Sequence, residues 1–188
     1  PHLNPYDCSK ISDGAASIML YSEEGLLKSG LEKKDAIEII AIGEAQGDIT
    51  EKPTDPTLLA TTKLAVEKAL LMAKIPLSAI GVLEIHDCFT ITALLSFEAI
   101  GFAKAGQAAD FILQKNHETL IPTNFSGGLS GFGHPTGATG VRQLVDLQMQ
   151  LTGKAPNQAV IKSPYGMLVS MGGNDMTVTC VIVKKGDV

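Results

Sequence analysis

Cysteine and arginine are both scarce in this chain of 188 residues. Cys8, Cys88 and Cys180 are far apart and odd in number, which argues against a disulfide framework and indicates a reducing compartment. Arg142 is the only arginine, and the formal net charge is −5. Because proteins that bind nucleic acids need a basic face, we expect no nucleic-acid partner. Most of the positively charged side chains that bind an anionic ligand would have to come from another polypeptide segment.

Long hydrophobic runs are also missing. No stretch supplies the roughly 20 consecutive apolar residues of a membrane helix, and no cationic, apolar leader resembles a signal peptide, so we expect no membrane partner. The chain lacks a peroxisomal Ser-Lys-Leu ending, which favours a cytoplasmic location, with a peroxisomal one as the alternative for a eukaryotic source. Its first residue is Pro1, so we interpret the chain as a processed or trimmed piece, or as part of something longer.

The composition is that of an ordered domain, with 45% apolar and 19% charged residues. Strand and helix patterns alternate along the chain, and the alternation predicts helices on both faces of a sheet. We predict a single domain over residues 1–188, a three-layer α/β/α structure with a mixed, mainly parallel five-stranded sheet and a C-terminal antiparallel hairpin. The predicted strands are residues 13–22, 36–47, 81–87, 166–173 and 176–185.

The segment His86-Asp87-Cys88 follows the predicted strand 81–87 and precedes a helical pattern. Ligands bind at the carboxyl ends of strands in α/β sheets, and a helix N-terminus favours the thiolate of a nearby cysteine. Strand alternation should turn His86 and Cys88 to the same side. The alternative is a buried cysteine beneath an Asp that caps the helix.

A glycine-rich stretch, Asn124 to Gly140, surrounds His134 and continues into Pro135. Glycine lets the backbone approach a ligand closely, and a rigidly held histidine suits a general base or an oxyanion donor. A phosphate-binding loop is a competing interpretation, but the P-loop lysine is missing. A surface loop with a chance histidine is the simplest alternative.

Two further groupings have weaker signals. The end of the strand at 166–173 could offer the backbone N–H groups of Gly172 and Gly173 as an oxyanion hole, although the same residues also make an ordinary hairpin. His86, Cys88 and His134 could supply three zinc ligands, but they lack the spacing of known zinc sites. We therefore predict no metal site.

These segments, taken in order, resemble the C-terminal half of a thiolase. The stretch "GHPTGATG" matches the GHP motif of that family, and "SDGAASIML" matches its "DGAA" strand. "HDCF" resembles the sterol-carrier-protein-type thiolases in particular. The resemblance implies a fold of the thiolase type and acyl transfer between coenzyme A thioesters, with no permanently bound cofactor and with acyl-CoA as the substrate.

The resemblance also implies roles for individual residues. His134 would activate a nucleophilic cysteine and help to bind the thioester oxygen, while His86 would hold a water that completes the same oxyanion hole. Cys88 would be the acid/base that moves the proton on the α-carbon of the acetyl-CoA enolate. It would replace the family's usual Cys-x-Gly thiol, because that position reads Ser170-Met171-Gly172 here.

Three further implications concern ligands and partners. Gly172 would keep its N–H for an oxyanion hole, and Ser9 and Phe89 would contact the pantetheine arm. The nucleophilic cysteine of thiolases lies in an N-terminal half that this sequence does not match, so we expect that half as a partner, in cis or in trans. We also expect a homo-oligomer, with an exposed apolar face where the other half packs. The alternative is a non-catalytic thiolase-like scaffold or a subunit of an acyltransferase complex.

Overall fold

The computed structural model describes residues 3–186, so the two residues at each end of the predicted domain lie outside the described part. Seven α-helices, three short 3₁₀ helices and four strands are present in this part of the chain. The helices are α1 (Glu23–Ser29), α2 (Ala60–Ala73), α3 (Thr90–Ile100), α4 (Ala108–Leu113), α5 (Asn116–Thr119), α6 (Gly128–Phe132) and α7 (Thr139–Thr152). The strands are β1 (Ile37–Gln46), β2 (Ile80–Ile85), β3 (Tyr165–Gly172) and β4 (Thr177–Lys185).

The sheet has four strands in the order β1-β4-β3-β2. β4 runs antiparallel to both of its neighbours, and only β2 and β3 are parallel. The predicted C-terminal hairpin is therefore confirmed, but a five-stranded, mainly parallel sheet is wrong. One further parallel contact, between Leu83 and Thr123, extends the β2 edge as a single bridge.

The missing fifth strand is the predicted strand at residues 13–22. This segment has no regular secondary structure, and its large apolar side chains are exposed, Met19 by 76% and Leu20 by 73%. The apolar pattern of the segment is typical of a strand, but a strand also needs a neighbouring edge with which to pair. In the described part of the chain, residues 13–22 pair with no such edge.

Two apolar layers cover the sheet, as predicted. On one face, α2 and α3 pack on Leu83, Ile85 and the inner side of β1. On the other face, α7 packs through Leu147 and Leu151 on a smaller cluster with Val82. Because side chains alternate along β2, Val82 and Glu84 lie on the face covered by α7 and Leu83 on the face covered by α2 and α3.

A glycine and an aspartate fix α2 against the sheet. A Cβ at Gly43 would lie 2.0 Å from the carbonyl oxygen of Ala65, so only glycine allows β1 and α2 to approach this closely. The carboxylate of Asp175, in the β3–β4 turn, accepts hydrogen bonds from the backbone N–H groups of Thr61 and Thr62, at 2.9 Å each. It thereby caps the first turn of α2 from a distant part of the chain.

Over residues 3–186, none of the helices has both the length and the apolar character needed to cross a bilayer.

Candidate active site

The carboxyl end of β2 and the glycine-rich loop before α7 meet on the face of the sheet that α7 covers. β2 ends at Ile85, and the backbone then turns at once, with the N–H of Asp87 donating to the carbonyl of Ile85 at 3.1 Å. The side chain of Asn124 both donates to the carbonyl of Ile85 and accepts from its N–H, at 3.2 and 2.8 Å. These bonds join the start of the glycine-rich loop to the last residue of the strand.

His86 is a buried histidine that stays neutral. It is 5% exposed, and burial, together with the nearby His134, lowers its pKa to about 4. The backbone N–H of Met171 donates to its Nδ1 at 3.3 Å. Because Nδ1 accepts this hydrogen bond, the proton of the neutral ring is assigned to Nε2, which makes Nε2 a hydrogen-bond donor.

In His134 the ring proton is assigned to the other nitrogen, Nδ1. Its Nδ1 lies 2.7 Å from the hydroxyl oxygen of Thr139, and that hydroxyl donates its single proton to the carbonyl of Pro135 at 3.1 Å. With the hydroxyl proton given to Pro135, the ring proton of His134 is assigned to Nδ1, and the lone pair is assigned to Nε2. Burial lowers the pKa of His134, so the ring is a neutral base at pH 7.

The two imidazoles lie against each other. Their ring centroids are 4.8 Å apart and the ring planes meet at 89°, an edge-to-face contact. With these assignments, Nε2 of His86 carries an N–H and Nε2 of His134 carries a lone pair. Such a pair can stabilise a developing oxyanion and remove a proton from a nucleophile.

Cys88 lies two residues beyond His86, at the approach to α3, and is half-buried. Burial raises its pKa and outweighs the hydrogen bonds from Thr92 and from the backbone N–H of Phe89. Burial thus acts on the Cys88 thiol in the opposite sense to the helix N-terminus, which favours the thiolate. Cys88 is a thiol at neutral pH, which is the form that a general acid needs.

The N-terminal segment around Cys8 pairs with the backbone of Cys88 and Phe89. Cys8 and Phe89 form an antiparallel bridge, and the N–H of Ser9 donates to the carbonyl of Cys88 at 2.8 Å. Ser9 therefore lies opposite Cys88, since directly paired residues share a face. Phe89, the next residue along the chain, is 48% exposed.

Gly172, the predicted oxyanion-hole residue, ends β3 next to Met171, whose N–H contacts His86. It is exposed and is followed by three residues with left-handed backbone: Gly173, Asn174 and Asp175. β3 thus brings Gly172 to the same edge of the sheet as His86.

Asp87 is a structural residue of the site whose partner the sequence analysis missed. Its carboxylate accepts from the N–H of Leu129 at 2.7 Å, and its carbonyl accepts from the hydroxyl of Ser130 at 2.6 Å. Asp87 therefore caps α6, a helix far along the chain, rather than α3, which follows it. The composition of residues 118–140 gave no helical pattern for α6, and only the short Gly-Leu-Ser-Gly-Phe run marks it.

Within residues 3–186, no group of three or more His, Cys, Asp and Glu side chains is placed to hold a metal ion. The imidazoles contact each other, whereas Cys88 bonds to Thr92 and to backbone groups. His134 and Cys88 are both partly exposed. Within residues 3–186, His134 and Cys88 are therefore accessible from the surface, whereas His86 is buried.

The chain matches known proteins along most of its length. Residues 43–185 match the family of thiolase C-terminal domain-like proteins. The chain is 37% identical to an acetyl-CoA acetyltransferase of Methanocaldococcus jannaschii over 91% of this chain and 45% of the relative. It is 33% identical to human sterol carrier protein 2 over 92% of this chain and 32% of the relative. The chain thus spans less than half the length of these relatives.

Solved structures show the same fold. The Bacillus anthracis acetyl-CoA acetyltransferase superposes on 95% of this chain and 37% of its own, with a TM-score of 0.69 and 20% identity. An aldolase described as Ltp2-ChsH2(DUF35) superposes on 78% of this chain and 39% of its own, with a TM-score of 0.69 and 21% identity. The sequence match over residues 43–185, together with this fold, shows that the chain belongs to the thiolase C-terminal domain-like family.

Proposed function

We propose that this chain is the C-terminal half of a thiolase-type acyltransferase that acts on coenzyme A thioesters. The observation that carries the proposal is the contact between His86 and His134, whose Nδ1 atoms are hydrogen-bonded to Met171 and to Thr139. A scaffold without chemistry would have no need for a buried histidine held in one tautomer against a second histidine. The proposal is also supported by relatives named acetyl-CoA acetyltransferase.

In the degradative direction, a cysteine thiol from the N-terminal half gives its proton to Nε2 of His134 and attacks the 3-keto carbon of the substrate. The 3-keto oxyanion that forms is stabilised by the backbone N–H of Gly172, and the thioester oxygen of the leaving enolate is stabilised by the protonated His134 and by a water that His86 holds through its Nε2–H. The bond between the α- and β-carbons then breaks. The products of this step are an acyl-enzyme and the enolate of acetyl-CoA.

Cys88 transfers the proton that converts the acetyl-CoA enolate into acetyl-CoA. Its raised pKa keeps the thiol protonated at neutral pH, so it can protonate the enolate carbon and become a thiolate. That thiolate next takes the proton of free coenzyme A, whose sulfur attacks the acyl-enzyme and releases acyl-CoA. His134 returns its proton to the nucleophilic cysteine, and the cycle closes with every proton accounted for.

The N-terminal half completes the site in this proposal. The chain spans 45% of the M. jannaschii relative, and Cys8, the cysteine nearest its start, pairs with Phe89 instead of lying at the start of a helix. Phe89 and the apolar residues of segment 13–22 are exposed, as expected for a surface that a second half covers. The same half would supply the cationic contacts to the phosphates of coenzyme A.

The test is the coenzyme A-dependent cleavage of acetoacetyl-CoA by this chain joined to an N-terminal thiolase half. We expect turnover, and we expect Cys88→Ala and His134→Ala to lower kcat by about 10²–10⁴-fold each, the usual range for loss of a general acid or base. Cys8→Ala and His117→Ala are the matched controls and should retain turnover.

A joined protein that is folded but does not turn over, with coenzyme A binding unaffected by His86 and His134 substitutions, would favour the scaffold alternative.

A further inference from the structure

Glu84 is a buried acid that the proposed chemistry does not use. It is 1% exposed and lies on β2 two residues before His86, on the sheet face that α7 covers. Buried carboxyl groups are costly unless they are paired or hydrogen-bonded. Its position between the sheet and α7 therefore calls for a reason beyond packing.

One oxygen of Glu84 is tied to the glycine-rich loop. Oε2 accepts a hydrogen bond from the hydroxyl of Ser126 at 3.0 Å, and the same hydroxyl oxygen accepts from the N–H of Gly128 at 3.2 Å. Gly128 begins α6, which leads through Gly133 directly into His134. A chain of two hydrogen bonds thus joins the interior of the domain to the segment that carries His134.

A cavity of about 110 Å³ lies between β2, the loop and α7, and Glu84, Gln143 and Asp146 are among the residues that line it. The second oxygen of Glu84, Oε1, and both side-chain polar atoms of Gln143 are buried and have no hydrogen-bond partner within residues 3–186.

The charges around the cavity favour the neutral acid. Asp13, Asp146 and Arg142 also line it, and Asp87 lies close by, so carboxylates outnumber the single guanidinium. Burial, followed by the charges of Asp146 and Asp87, raises the pKa of Glu84 to about 8. At neutral pH the group is a protonated acid that can both donate and accept hydrogen bonds.

We propose that Glu84 is a positioning residue, whose carboxyl holds segment 126–133 through Ser126 and so keeps His134 against His86. Its effect on turnover rests on the proposed function, but its effect on the placement of His134 does not. The carboxyl acts from inside the domain and touches no substrate.

The test follows the titration of the His134 imidazole by NMR in the folded chain. We expect Glu84→Leu and Ser126→Ala to move the pKa of His134 upward toward its ordinary value, because the ring loses its buried contact. Glu84→Gln keeps an oxygen acceptor at the same place and should preserve the lowered pKa. Glu67→Gln, an exposed acid on α2, is the matched control.

Two further measurements separate this inference from the proposed function. In the joined enzyme, Glu84→Leu should lower kcat by about 10²-fold with a smaller change in KM, the loss expected for a misplaced base, and Glu84→Gln should restore most of it. Above pH 8 the wild-type His134 resonance should shift while that of Glu84→Gln does not. If Glu84→Leu and Ser126→Ala both fold and leave the His134 titration unchanged, the inference is overturned, whether or not the joined enzyme turns over.

Discussion

The imidazole rings of His86 and His134 meet edge to face, with their centroids 4.8 Å apart, although one follows β2 and the other precedes α7. The contact depends on Asp87 and Asn124, which tie the glycine-rich loop to the end of β2. Nδ1 of each ring is hydrogen-bonded, in His86 to the N–H of Met171 and in His134 to the hydroxyl of Thr139. The assigned tautomers consequently make Nε2 a donor in His86 and an acceptor in His134.

Thr139→Val should disturb this pairing without removing either histidine. Valine has nearly the shape of threonine but cannot accept the proton of His134 Nδ1, so the ring is no longer held in one tautomer. We expect kcat of the joined enzyme to fall about 10-fold or more, as for a base whose orienting partner is lost, with little change in KM. Thr136→Val, at an exposed position of the same loop, should have no such effect, and an equal loss in both variants would contradict the role of Thr139.

His86 should make stability depend on pH in acid. The unfolded chain protonates this imidazole near pH 6.5, whereas the folded protein resists protonation down to about pH 4. The unfolded state therefore binds more protons in this window, and the free energy of unfolding should fall, as pH drops from 6.5 to 4, by on the order of 3 kcal/mol from this group. Urea denaturation of the chain and of His86→Asn measures the difference.

The pH dependence of stability must be compared between the wild type and His86→Asn, because Glu84 changes the free energy of unfolding in the opposite sense. Its raised pKa means that the folded state holds a proton that the unfolded state loses, so its contribution to stability falls as pH rises from 4.5 toward 8. Subtracting the His86→Asn curve from the wild-type curve cancels this contribution. A difference that does not change between pH 6.5 and 4 would show that His86 protonates normally in the folded protein.

Gly128→Ala should be strongly destabilising. The residue has φ of +61°, and a Cβ there would lie 2.3 Å from Oδ2 of Asp87. We expect a loss of on the order of 2–4 kcal/mol in the free energy of unfolding, since both backbone strain and a clash with a buried carboxyl oppose the side chain. Gly131→Ala lies in the same short helix with nothing within 4 Å of the added carbon and should be neutral or slightly stabilising. Equal effects of the two substitutions would contradict this account.

The exposed apolar segment should make the isolated chain self-associate or bind another polypeptide. Met19 and Leu20 are 76% and 73% exposed, and an apolar surface of this kind favours association. We expect Met19→Lys with Leu20→Lys to shift sedimentation toward the monomer, whereas Leu113→Lys, at an 80% exposed position on α4, should not. A monomeric wild-type chain at high concentration would contradict the prediction.

The sequence predicted most elements because their signals are local. The hairpin of β3 and β4 was evident from its strand pattern and turn residues, and α2 and α7 were evident from their helical periodicity. The segment 13–22 was predicted wrongly as a strand, because pairing depends on the edge beside a strand and not on its own composition. The parallel or antiparallel direction of each pair likewise depends on contacts that are distant in sequence.

For the candidate site, too, the sequence predicted what is local and the structure decided what depends on distant contacts. The motifs at His86-Asp87-Cys88 and around His134 identified the residue types and the family, because these side chains are written directly in the chain. Only the folded structure decided that Asp87 caps α6, that Glu84 reaches the loop through Ser126, that the pKa of Cys88 is raised, and which groups contact Nδ1 of each histidine. Those properties arise from burial and from hydrogen bonds between groups far apart in sequence, and no local pattern encodes them.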